Sequence, residues 1–315
     1  MSGALIFDPF PGRNEMSRTF TALMVLGVIT FAACGDDPTD ADPETLVLSF
    51  TGLDPLENGY HYEGWAIIDG APVTTGKFNV DASGGLVTTT GSAITGGVFD
   101  TGIDLTDATA IVITIEPNGD TDAVPASTHI VAGPVFGASA ALSVGDGSAL
   151  GDDFTGASGS YILATPTNGD GTNENSGIWF LSLATGSPAA GLDLATLPAG
   201  WAYEGWVVIG GTPVTTGRFT ATDAADLSDP FSGAEAGPPF PGEDFLVNAP
   251  TGLSFPTDLR GATAVISIEP EPDDSSAPFT LKPLVATIAA DATDHVTYSL
   301  PTNLGSFPTG TATIQ

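Results

Sequence analysis

From residue 45 onward, short apolar or alternating runs are separated by clusters of Gly, Pro, Asn and Asp. Runs of this length between turn formers are strand signals, and no stretch carries the 3.6-residue apolar period of an amphipathic helix. The pattern predicts strands at Leu46–Leu53, Tyr60–Ile68, Val73–Val80, Leu86–Thr90, Ala110–Glu116, Ser127–Val131, Ala138–Val144, Gly159–Ala164 and Gly177–Leu183. A second series follows at Leu192–Leu197, Trp201–Ile209, Val214–Ala221, Ala264–Glu269, Thr280–Thr287 and Val296–Leu300, with Thr311–Gln315 at its end.

The two series are copies. Residues 62–78 read YEGWAIIDGAPVTTGKF and residues 203–219 read YEGWVVIGGTPVTTGRF. Glu63 and Glu204 are 141 positions apart (204 − 63), as are Pro72 and Pro213, and Phe78 and Phe219. A period this long means two globular copies, not a solenoid. Within the repeat, Tyr62, Gly64 and Ala66 face one side of a strand and Glu63, Trp65 and Ile67 the other. Asp69-Gly70 and Gly210-Gly211 are hairpin dipeptides, and Pro72 and Pro213 open the next strand. Tyr203, Glu204, Trp206 and Phe219 repeat Tyr62, Glu63, Trp65 and Phe78. The motif therefore reads as a hairpin with a Trp anchor.

Aligning the copies predicts an all-β fold of two tandem immunoglobulin-like Greek-key sandwiches. The expected domains are 45–183 and 192–315, joined by a linker at 184–191 (ATGSPAAG). Here Val296–Leu300 and Pro301-Thr302-Asn303 match Tyr161–Leu163 and Pro166-Thr167-Asn168, and Ile178–Leu181 closes the first domain. Glu116 and Glu269 lie 153 apart, so about twelve extra residues fall in the second copy. They are expected in the Pro/Gly-rich loop Asp226–Asp244, the kind of loop where binding concentrates.

The N-terminal segment changes the picture from fold to address. Residues 1–33 read as a signal peptide with its true start expected at Met16, because Thr19–Ala33 (TFTALMVLGVITFAA) is apolar and ends in small residues. Cys34 follows directly and is the only Cys in the chain. This resembles a bacterial lipobox with Phe31 in place of Leu, and the resemblance implies lipidation of Cys34. Ordinary secretory cleavage is the alternative. Residues 34–44 are acidic and Pro-containing, as a disordered tether would be. Expected localisation is therefore the cell envelope, membrane-anchored and facing periplasm or exterior.

Composition adds exclusions. There are 6 Lys+Arg against 38 Asp+Glu, a net charge of −32. Such a surface repels nucleic acid and anionic head groups. Salt adaptation or solubility explains it more readily than a specific cation site. The domains have no Cys for a disulfide or thiolate chemistry.

The phrase carried by Tyr62, Trp65, Gly70, Pro72, Val73, Gly76 and Phe78, then Glu116, Pro117, Gly119, Pro125 and Ala132-Gly133, resembles the extracytoplasmic C-terminal domain of anti-sigma-K-type factors. The second copy keeps Tyr203, Trp206, Gly211, Pro213, Val214, Gly217, Phe219, Glu269, Pro270 and Pro278 but lacks the final Ala-Gly. The resemblance implies a sensing or stabilising domain outside the membrane, without known catalysis. Sigma-binding, zinc and transmembrane elements of that family are missing, so the expected role is not that of an anti-sigma factor.

Candidate chemistry is sparse. Glu63/Glu204 and Glu116/Glu269 are the acids duplicated within strands. Paired carboxylates serve glycoside hydrolysis or cation binding, whereas a structural role hydrogen-bonds them to turns. Duplication favours structure, so no catalytic residue and no enzyme is expected. The aromatic set Tyr60, Tyr62, Trp65, Trp201, Tyr203 and Trp206 is read as core before glycan platform. Asn168, Asp170, Thr172 and Glu174 offer oxygen ligands at alternate positions and loosely resemble a calcium loop. Otherwise no cofactor is expected. His61, His129 and His295 show no metal-ligand partner at useful spacing. The expected partners are the membrane through the lipid anchor and an unidentified envelope protein or glycan. The functional alternative is a carbohydrate-binding or carbohydrate-active envelope protein using the duplicated Glu and aromatic residues.

Overall fold

The structure, a computed structural model, describes residues 44–169, 171–273 and 275–315. Cys34, the signal segment and the 34–43 part of the tether lie outside them. Among the described residues there is no α-helix, only strands, turns and two 3-10 turns. No helix there is long and apolar enough to cross a membrane.

In chain order the first half supplies β1 (Thr45–Thr51), β2 (His61–Ile68), β3 (Ala71–Val80), β4 (Leu86–Val87), β5 (Val98–Asp100), β6 (Ala108–Glu116), β7 (His129–Phe136) and β8 (Ser139–Ser143). Next come β9 (Ser158–Leu163), β10 (Gly177–Trp179), β11 (Leu181–Ser182), β12 (Ala189–Ala190) and β13 (Leu192–Asp193). The second copy continues with β14 (Trp201–Ile209), β15 (Thr212–Phe219), β16 (Gly242–Asp244), β17 (Thr263–Pro270), β18 (Leu284–Thr287), β19 (Tyr298–Leu300) and β20 (Thr309–Ile314).

One sheet has nine strands in the order β4-β3-β2-β6-β7-β8-β20-β1-β5. It curls over, bringing Phe99 of β5 edge-on to Phe78 of β3 at 5.7 Å. The same pattern recurs as β15-β14-β17-β18 and as β13-β9-β10-β16 with β19 on the other side of β9. All paired strands are antiparallel, and the architecture is sandwich-like.

The repeated hairpin forms as its sequence demands. Tyr62 lies opposite Phe78, and Tyr203 opposite Phe219, with a register shift after Gly64 and Gly205. At Gly64 a Cβ would sit 2.5 Å from Thr75 Oγ1, so the glycine makes room for a bulged hydroxyl. The tyrosines cap an upstream turn in both copies: Tyr62 Oη donates to the Asp54 carbonyl at 2.9 Å, and Tyr203 Oη to that of Ala195 at 2.7 Å. Tyr62, Ala66, Phe78 and Ile113 belong to the main core, whereas Trp65 packs on the opposite face with Val112, Ala132 and Ala149. Both faces of β2 are thus buried, because the loop after β8 covers the outer one.

The closing strands depart from the expected alignment. Tyr161 and Tyr298 are not counterparts but register neighbours, since β9 pairs with β19. The counterpart of β9 is β20. Residues 158–163 read SGSYIL and residues 309–314 read TGTATI. Strand β20 lies between β8 and β1, where Leu46 faces Ile314. Strand β9 correspondingly lies between β19 and β10, where Ile178 faces Leu163. In each, the central glycine admits a neighbour's bulk: Phe50 at Gly310, and Leu284 and Leu300 at Gly159.

Two corrections follow. Ile178–Leu181 does not close the first half; it opens the second, as β1 opens the first. Strand β10 pairs with β16 in the manner of β1 with β5. The expected linker 184–191 is a hairpin excursion within this opening segment, in which Leu181 pairs with Ala190. The strands therefore do not segregate at 184–191. Residues 158–306 fold between β8 and β20 of the first half.

Candidate functional site: buried carboxylates on the sheet faces

The duplicated acids end in matching relays. In the first half, register places Glu63 of β2 opposite Thr114 of β6. Trp65 Nε1 donates to Thr114 Oγ1 at 2.9 Å, and Thr114 in turn donates to Glu116. Glu116 Oε1 also accepts the Ala126 N–H at 2.9 Å, which ties the loop after β6 to the sheet. In the second half Trp206 Nε1 donates to Ser267 Oγ at 2.8 Å, Ser267 donates to Glu269, and Glu269 Oε1 accepts the Phe279 N–H at 2.9 Å. Thr74 and Thr215 donate to Glu63 and Glu204 across each hairpin.

All four glutamates are buried, Glu116 at 1% exposure and Glu269 at 0%. Tyr62, Trp65, Trp201, Tyr203 and Trp206 are buried too. Glu116 and Glu269 sit under loops and hold them, a use that requires indole, hydroxyl and acid at fixed places on neighbouring strands, while Glu63 and Glu204 fasten the hairpin strands.

Their electrostatics differ between the copies. Lys77 Nζ lies 3.3 Å from Glu63 and 2.9 Å from Asp120. The matching Arg218 instead pairs with Glu271. Burial then pushes the Glu204 carboxyl up to about 7, partly offset by the Thr215 hydrogen bond. Burial pushes Glu269 up to about 8 against the Ser267 and Phe279 hydrogen bonds.

The two asymmetric loops fare differently. Part of Asp226–Asp244 is strand β16, docked on β10. Asp244 Oδ1 accepts Trp179 Nε1 and its Oδ2 accepts the Thr167 N–H, both at 2.8 Å. Ser232 donates to Glu243. Burial raises Glu243 to about 8, Asp226 to about 7, and Asp244 above its ordinary value. A cleft of about 170 Å³ lies here, lined by Thr167, Trp179, Asp226, Ser232 and Gly237 among others. Part of the loop where binding was expected to concentrate is thus framework.

In the 168–175 loop, Asp170 lies outside the described residues. The Asn168 amide donates to the Thr172 carbonyl, and Glu174 Oε2 accepts the Thr165 N–H at 3.0 Å. The Thr172 carbonyl and Glu174 Oε2 are thus engaged in the loop's own turns, whereas the buried Asn175 Oδ1 has no hydrogen-bond partner. Glu174 approaches Asp294 and His295 instead, with His295 Nε2 at 4.0 Å.

His61 is the residue sequence reasoning passed over. It lies within ligand distance of Glu63 and Asp120, one offered atom of each being within 4.8 Å of the others. Asp120 reaches this point from the loop after β6, so sequence spacing carried no sign of it.

The fold and sites define an antiparallel all-β protein with buried carboxylate relays. No protein-family model matches the chain, and neither a characterised protein nor a solved structure matches it.

Proposed function

We propose that the chain is a lipid-anchored extracytoplasmic protein with a binding, sensory or structural role in the cell envelope, and not an enzyme or an anti-sigma factor. Cys34 at the end of an apolar, small-residue-terminated run carries the anchor and the location. The non-catalytic role is supported by the relays: the duplicated Glu and Trp side chains point inward and fasten loops. The resemblance to anti-sigma-K-type extracytoplasmic domains supports the same side of the membrane and a sensing or stabilising role. The acidic surface disfavours nucleic acid as partner.

The glycan reading has less support, because the carboxylates it would use are buried, as are its rings except the half-buried Tyr60. The cell is the place to test the anchor. Cys34→Ala is expected to block lipid processing and shift the protein from the membrane to the soluble fraction; unchanged processing and partitioning would remove the anchor from the proposal.

A further inference from the structure

We propose that His61, Glu63 and Asp120 form a site for one divalent transition cation of zinc-like chemistry, for which the Lys77 ammonium competes.

His61 opens β2 and is only 6% exposed. Its Nδ1 faces the Gly59 carbonyl at 3.5 Å, while Nε2 is buried without a hydrogen-bond partner. An orphaned imidazole nitrogen in a protein interior is costly. It is also the arrangement in which a histidine binds a metal: one nitrogen oriented by a carbonyl, the other offering its lone pair. Glu63 stands two residues along the same strand, and Asp120 comes over from the following loop. One imidazole and two carboxylates suit a borderline ion such as Zn²⁺ better than Ca²⁺ or Mg²⁺, which gain little from nitrogen. Zinc bonds of about 2.0–2.2 Å hold the ligand atoms of a tetrahedral site roughly 3.5 Å apart, a spacing inside the 4.8 Å within which these three atoms lie.

Lys77 marks where positive charge is wanted. Its Nζ bridges Glu63 and Asp120, and its side chain is 32% exposed, so it can swing to solvent as an ion enters. The second copy supplies a natural control. His61 pairs with Glu116, and Ala202 holds that register place opposite Glu269. Glu204 is retained there without an imidazole, so that copy lacks the nitrogen ligand.

The test is zinc titration by calorimetry on the full chain carrying Cys34→Ser, which removes the one thiol. One zinc per chain is expected. His61→Ala, which Ala202 shows the fold accepts at this place, should weaken binding roughly 10- to 100-fold. Lys77→Met should tighten it severalfold, a result that loss of folding cannot mimic. Calcium at equal concentration should not displace zinc. Should zinc binding survive His61→Ala but vanish in His295→Ala, the ion belongs to the exposed Glu174–Asp294–His295 cluster and the proposal fails. It also fails if neither the parent nor Lys77→Met binds zinc.

Discussion

The two halves share a hairpin, a Trp–hydroxyl–Glu relay and a loop fastened by that relay, yet they balance charge differently. In the first, Lys77 joins Glu63 to Asp120. In the second, Arg218 forms its ion pair with Glu271, and among the described residues neither Glu204 nor Glu269 has an ion pair of its own, Arg218 and Lys282 acting on them only at longer range. Geometry was retained while the counter-charge moved. A buried carboxyl can be kept by pairing it or by keeping its proton, and the molecule uses both ways.

The largest effect should come from the strand that joins the halves. Ending the chain after Pro308 removes β20 from between β8 and β1. Hydrogen exchange should then report lost protection in the first half, around β1 and β8, while β14–β17 keeps more of its own. Loss confined to the second half would restore the alignment in which each copy is closed by its own last strand.

A pH series should show the next effect. Glu204 and Glu269 hold their protons up to about 7 and about 8 in the folded chain, against an ordinary 4.5. Between these values the folded state binds more protons than the unfolded one, so stability falls as pH rises through the window. The slope approaches about 1.4 kcal/mol per pH unit for each such carboxyl. Asp226 and Glu243 act in the same direction. Glu269→Gln imitates the protonated acid, so it should flatten the slope and raise the melting temperature at pH 8 relative to the parent. A parent whose stability is level from pH 5 to 8 would contradict the assignment.

The smallest effect separates the two basic residues. Lys77→Met leaves Glu63 buried without its cation and should cost about 1–3 kcal/mol in denaturant melts. Arg218→Met breaks a half-exposed pair and should cost about 0–1 kcal/mol. Equal losses would erase the electrostatic difference between the two halves.

The sequence made the local structure legible. The positions of Tyr62, Trp65, Pro72 and Phe78, the Asp69-Gly70 turn and most strand bounds follow from periodicity and turn chemistry, and all recur in the second copy. Pairing over long range was not legible. The shared Pro-Thr-Asn after β9 and β19 drew the alignment towards two strands that are neighbours in space. The shorter likeness of SGSYIL and TGTATI carried the true correspondence. Duplication pointed to a structural use of Glu116, but not to its burial beneath the loop after β6. The meeting of His61 with Asp120 was not legible, since it depends on how a loop returns over a sheet face.

The position of β20 has a consequence for how the molecule comes into being. A chain is made from its N-terminus, and Thr45 exchanges backbone hydrogen bonds with Gln315, 3.1 and 2.8 Å long. The half begun first is therefore completed last. Until Thr309–Ile314 arrives, nascent β1 and β8 present open edges, the kind of surface on which chaperones and misassembly compete. The intervening residues 158–306 have all their strand partners in place earlier, so the later-synthesised copy can mature ahead of the one that precedes it.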